Sequence, residues 1–257
     1  MIFKTEKVIF PNNHGHNLAA SLERPSHKIR CFAIFAHCFT CSKDVLAASR
    51  ISRALTDHGI AVLRFDFTGL GNSEGDFSNS NFSTNKLDLI SAYNYLSEFE
   101  SSPEIIIGHS LGGAAVLAAA SEMPNVKAVV TIAAPSDVPH VEHLLGRNID
   151  EIEKMGEAEV SLAGRSFIIK KQFLDDVRSI KLSHKIENLS KGLLILHSPQ
   201  DEIVSISHAR DIYLAARHPK SFVALPEADH LLTNKRDSEY AADIIQAWCA
   251  RYINDRD

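Results

Sequence analysis

Ser110 sits in Gly108-His109-Ser110-Leu111-Gly112-Gly113, a G-x-S-x-G pattern with an Ile-rich run before it and an Ala-rich run after it. A serine hydroxyl is a weak nucleophile until a base takes its proton. Late in the chain come an acid, in Ser198-Pro199-Gln200-Asp201, and a histidine, in Ala228-Asp229-His230. Serine, acid, histidine is an order that acyl-transfer triads follow on sheets of parallel strands. In that chemistry His230 is general base and then general acid, while Asp201 fixes its tautomer and stabilises the imidazolium. Two backbone donors are expected for the oxyanion. The Leu111 N–H is one, aided by the positive end of the helix it starts. The Phe39 N–H, in the loop His37-Cys38-Phe39-Thr40, is the other.

Other readings compete for these residues. Asp137 also follows a strand end, but Asp201 lies in a Pro-Gln-Asp-Glu turn after an apolar strand and is preferred. Asp229 is read as a cap or turn residue, and His109 as packing beside its strand. Cys38-Phe39-Thr40-Cys41 has the spacing of a redox motif. The competing reading is two small residues lining the oxyanion loop. Four cysteines in 257 residues make no disulfide framework, so thiols are expected. Among the 13 histidines, His14 and His16 flank a glycine, and His140 and His143 are spaced for one helix face. No cysteine or carboxylate pattern joins them, so neither a metal nor a cofactor is expected. The glycines of Phe65-Asp66-Phe67-Thr68-Gly69-Leu70-Gly71 lack phosphate-loop spacing. Asp66 is expected to bond backbone donors there.

Such residues need a sheet to hold them. Residues 5–24 read as two strands joined by a turn at 11–15. Apolar runs at 31–36, 60–67, 104–107, 126–134, 192–197 and 221–225 read as further strands, several of them continuous as in buried parallel sheets. Helical spacing appears at 44–58, about 84–99, from 111 to near 123, at 207–217 and from 238 to about 252. The repeat breaks at about 138–191. Residues 139–146 read as helix, 159–170 as a hairpin turning around Gly164-Arg165, and 171–180 as helix. In the hairpin, Val160 and Leu162 face Phe167 and Ile169. Strands alternating with helices predict an α/β fold, with a mostly parallel central sheet and helices on both faces. One domain over residues 1–257 is expected, with a small inserted cap at about 138–191 over the functional edge of the sheet.

A net charge of −5 gives no reason to expect nucleic acid or an anionic membrane as partner. No stretch approaches the ~20 apolar residues of a membrane span. Lys4, Glu6 and Lys7 interrupt the N-terminal run, so no signal peptide is expected and a cytosolic location follows. Oligomeric state is not legible.

Taken together, Gly-His-Ser-Leu-Gly-Gly, the Asp-Phe-Thr-Gly-Leu-Gly-Asn-Ser loop from Asp66, Asp201 and His230 resemble the α/β-hydrolase superfamily over nearly the whole chain. Finer stretches are 37–44, Gly75-Asp76-Phe77, 156–160 and 172–176. They resemble the hydrolase half of bacterial proteins that carry a C-terminal OsmC-like peroxidase domain. The sequence holds no OsmC-like half, and peroxidase chemistry is not expected of it. The resemblance implies a serine hydrolase acting on a small-molecule carboxylic ester, with a small acyl group. Thioester or amide hydrolysis by the same residues is the alternative. A non-catalytic binding module is disfavoured, because no triad member is missing.

Overall fold

The structure, a computed structural model, describes residues 3–253. β1 (Phe3–Pro11), buried at Val8 and Phe10, pairs with the mostly buried β2 (Asn17–Pro25) in an antiparallel hairpin. Fully buried runs then form β3 (Cys31–Ala36), β4 (Ile60–Phe65), β5 (Ile105–His109), β6 (Ala128–Ile132) and β9 (Gly192–His197). With β10 (Lys220–Ala224) at one edge, the sheet order is β1-β2-β4-β3-β5-β6-β9-β10. Only β1–β2 and β2–β4 are antiparallel. All other neighbours are parallel.

Side chains of one strand feed two cores, which is why these runs are apolar throughout. Ile34 and Ile106 enter the core that includes α2 (Phe82–Phe99), α3 (Leu111–Ala119) and α7 (Ile206–Ala215). Ala33, Phe35, Ile105 and Ile107 enter the core under α1 (Leu46–Thr56) and α8 (Lys235–Cys249). Every parallel strand therefore ends at the same sheet edge, with its following loop beside the others. No helix among the described residues is long and apolar enough to cross a membrane.

Residues 138–191 lie between β6 and β9. Pro139–Leu144 is a 3-10 helix rather than an α-helix. The hairpin pairs β7 (Glu157–Leu162) with β8 (Arg165–Lys170). Val160 faces Phe167 as expected, but Leu162 faces Arg165 and Ala158 faces Ile169. The turn falls at Ala163-Gly164, both at positive φ (49° and 77°). A two-residue loop of that kind matches strand twist, and the alanine hid it from turn chemistry. α5 (Lys171–Ser179) follows as expected. Two further helices have no counterpart in the sequence pattern. α4 (Asn148–Met155) packs on β7. α6 (Leu182–Glu187) packs against α3 and α7, in the helical layer rather than over the sheet edge.

Candidate active site

β5 turns directly into α3 at Ser110, whose φ of 55° and ψ of −124° are far from any ordinary serine conformation. The strain is held by close packing. A Cβ on Gly108 would lie 2.3 Å from the Gly112 carbonyl oxygen, and a Cβ on Gly112 would lie 2.4 Å from the Ala36 and His37 carbonyl oxygens. Both positions therefore require glycine. The same closeness brings the end of β3, and the loop after it, against the start of α3. The Ser110 N–H donates to the Ile132 carbonyl (2.9 Å), tying the turn to β6.

The acid and the histidine arrive from the loops after β9 and β10. Ser110 Oγ lies 3.0 Å from His230 Nε2. His230 Nδ1 lies 2.8 Å from Asp201 Oδ2. A carboxylate there makes Nδ1 the donor, which leaves Nε2 free to accept the serine proton. Asp201 Oδ1 accepts from the Ile203 and Val204 N–H groups, each at 2.9 Å. Burial alone would raise this carboxyl. The hydrogen bonds from His230, Val204 and Ile203 outweigh it and hold Asp201 below the ordinary carboxylate range. Asp137 does not reach this place. Its carboxylate lies 3.9 Å from His208 instead. Asp229 caps Thr233, whose N–H it accepts at 2.9 Å.

Phe39 and Leu111 line one small cavity together with His37, Cys38, Thr40 and Gly112, so both expected donor segments flank the same space. The expectation of four thiols fails here, because Cys38 and Cys41 form a disulfide. Their Cα atoms lie 5.3 Å apart, within bonding reach. Spacing alone could not distinguish a dithiol from this closed ring. Cys31 and Cys249 are buried, and burial pushes the Cys249 thiol above its ordinary range. The ring backbone passes through Thr40 at φ 57°. Arg165 from β8 donates to the Thr40 carbonyl. Phe39 stacks on Phe173 of α5 at 5.4 Å between ring centroids. Asp66 bonds backbone donors as expected, Lys43 N–H at 2.6 Å and Asn72 N–H at 3.0 Å, and it also pairs with the Lys43 ammonium.

His109 does pack beside its strand, but its ring also bonds the backbone of the His230 loop, with Nε2 2.7 Å from the His230 carbonyl oxygen. His197 makes the same kind of bond, Nε2 to the Val204 carbonyl oxygen at 2.7 Å. The sequence signal for His197 is its place at the end of an apolar strand, just before an acid-bearing turn. His140 packs on His143 and on His208. Among the described residues no three His, Cys, Asp or Glu side chains gather as a metal-binding set.

A family model described as "Serine aminopeptidase, S33" matches residues 28–162. The esterase domain of a Rhodothermus marinus protein is 48% identical in sequence, with a TM-score of 0.80 over 97% of this chain and 99% of that one. Est1E from Butyrivibrio proteoclasticus, solved with ferulic acid bound, shares the fold at a TM-score of 0.84 and 21% identity, over 95% of this chain and 98% of that one. Mitochondrial palmitoyl-protein thioesterase ABHD10 of Mus musculus is 28% identical over 186 residues, 70% of this chain. The chain spans 62% of the length of that mouse protein and 59% of its Rattus norvegicus counterpart.

Proposed function

The chain belongs to the serine aminopeptidase S33 family of α/β-hydrolases, and from that premise we propose that it cleaves carboxylic esters of small acyl groups through an acyl-enzyme on Ser110. The observation that carries this is the unbroken chain from Ser110 Oγ through both ring nitrogens of His230 to Asp201. The likeness to an esterase domain at 48% identity supports it.

Ser110 Oγ attacks the ester carbonyl carbon as its proton passes to His230 Nε2. Negative charge develops on the carbonyl oxygen, within reach of the Phe39 and Leu111 N–H groups. Asp201, held ionised by its backbone donors, stabilises the imidazolium. Collapse breaks the C–O bond, and His230 returns its proton to the leaving alkoxide. Water then repeats the sequence on the acyl-enzyme, releasing the carboxylic acid and restoring the Ser110 hydroxyl. The aromatic pack of Phe39 with Phe173 and of Phe77 with Phe167 fills space between the oxyanion loop and residues 138–191. That filling supports a short acyl group. A cytosolic location is part of this reading.

A thioesterase is the second reading, favoured by the likeness to ABHD10. The residues and steps are the same, with a thiolate as leaving group. Matched oxygen and sulfur esters, over a series of acyl lengths, decide between them. The proposal expects the higher kcat/KM on short-chain oxygen esters. Preference for the sulfur series moves the assignment to thioesterase, and a maximum at long chains overturns the small-acyl assignment.

A further inference from the structure

We infer that His109 and His197, the last residues of β5 and β9, are positioning residues that hold the loops carrying His230 and Asp201 through their ring N–H groups. The inference rests on reading Ser110, His230 and Asp201 as the acyl-transfer triad. Both rings face a carbonyl oxygen at 2.7 Å, that of His230 for His109 and that of Val204 for His197. A carbonyl only accepts, so each Nε2 carries the proton. Each Nδ1 is then a buried acceptor, and neither has a hydrogen-bond partner among the described residues. An apolar side chain at the same strand position would avoid that loss. The molecule keeps the arrangement at the ends of the two strands that adjoin Ser110 and Asp201.

The loops explain the need. The segment between β10 and α8 has no regular structure, and it passes through left-handed Glu227 (φ 63°) and Leu232 (φ 49°). The His109 ring ties this segment to β5 at His230 itself, one residue from the nucleophile. The Ser110–His230 distance is therefore fixed from both sides. In the acid loop, the Val204 N–H donates to Asp201 Oδ1 while the Val204 carbonyl accepts from His197. Val204 is thus clamped at both polar groups, and the carboxylate with it. His37, which follows β3, repeats the theme in the oxyanion loop, with Nδ1 2.8 Å from the Cys38 carbonyl oxygen. Burial keeps both inferred residues neutral. The His109 pKa is pushed down to about 3, first by desolvation and then by His230. That of His197 is lowered first by desolvation.

Glutamine places an amide N–H near the position of Nε2, whereas the asparagine amide stops near Nδ1. Ester turnover is measured for His109→Asn, His109→Gln, His197→Asn and His197→Gln, with folding followed by thermal unfolding. A displacement of the reacting groups by about 1 Å can cost on the order of 100-fold. The Asn variants should therefore lose about 10–100-fold in kcat with KM little changed, and the Gln variants should regain most of it. Equal kcat for Asn and Gln at either position overturns the inference there, because packing alone does not distinguish the two amides in this way. If an Asn variant does not fold, His→Met supplies bulk without a donor, and kcat equal to that of the Gln variant is the contradicting result. Ser110→Ala runs alongside. Turnover surviving in that variant would sink the triad reading itself, an outcome separable from failure of the positioning role.

Discussion

Four buried groups decide what Ser110 can do, and each is held in one protonation state by its surroundings. Asp201 stays ionised because backbone N–H groups and His230 outweigh its burial. His37 and His109 stay neutral because burial pushes their pKa values down to about 4 and about 3. His197 is lowered in the same way. An unfolded histidine titrates near 6.5. Between that value and the folded one, the unfolded chain binds protons that the native chain does not. Stability is therefore full above about pH 6.5 and falls as pH is lowered toward the folded values. The groups around His109 are His230, Asp201 and His37; the His230 and His37 rings oppose its protonation, whereas the His230 carbonyl and the Asp201 charge favour it without outweighing burial. The midpoint of thermal unfolding should drop from pH 6.5 to 4, and less steeply in His109→Gln, whose amide takes no proton. Parallel curves would remove His109 from the acid response. At this scale the sequence was legible for Ser110, Asp201 and His230, because motif and order constrain them jointly. It was silent on what the His109 and His197 rings touch, since their partners are carbonyls brought close only by folding.

The proposed oxyanion loop is the element on which the proposed turnover most depends. It is closed by the Cys38–Cys41 bond, pinned by Lys43 on Asp66 and reached by Arg165 from the hairpin. The Phe39 N–H lies inside the closed ring. Reduction by a dithiol opens that ring and frees Phe39. It should lower kcat reversibly, by at most the ~10²–10³ that loss of one oxyanion donor costs, with KM changed less. Equal turnover before and after reduction would show that the bond plays no part in positioning the donor. A reducing compartment such as the proposed cytosol would hold this site in the open, slower form, so an oxidised Cys38–Cys41 pair found in cells would move the proposed location to an oxidising compartment. Elements were readable where one pattern ran long enough. The apolar runs of β3, β4 and β9 and the helices α2 and α5 are of this kind. α6 spans only Leu182–Glu187, too few turns for periodicity, and α4 is short and half charged. The hairpin turn was misplaced by one residue because alanine rarely signals positive φ.

Across the whole molecule, one buried polar thread connects the N-terminal hairpin to the site. Arg64 of β4 pairs with Glu23 of β2, both shielded from solvent, and donates to the Lys43 carbonyl. Lys43 then reaches Asp66. Breaking such a pair on one side leaves an uncompensated buried charge, so the antiparallel strands contribute to the oxyanion loop although they stand far from the serine in sequence. The central sheet supplies the rest by ending β3, β5, β9 and β10 at one edge. Everything then converges on whether Ser110 is the nucleophile. A fluorophosphonate probe, followed by peptide mapping, tests this most directly. One adduct per chain is expected, on Ser110, with ester turnover lost in proportion to labelling and both label and turnover absent in Ser110→Ala. Labelling elsewhere, or full turnover in Ser110→Ala, would contradict it.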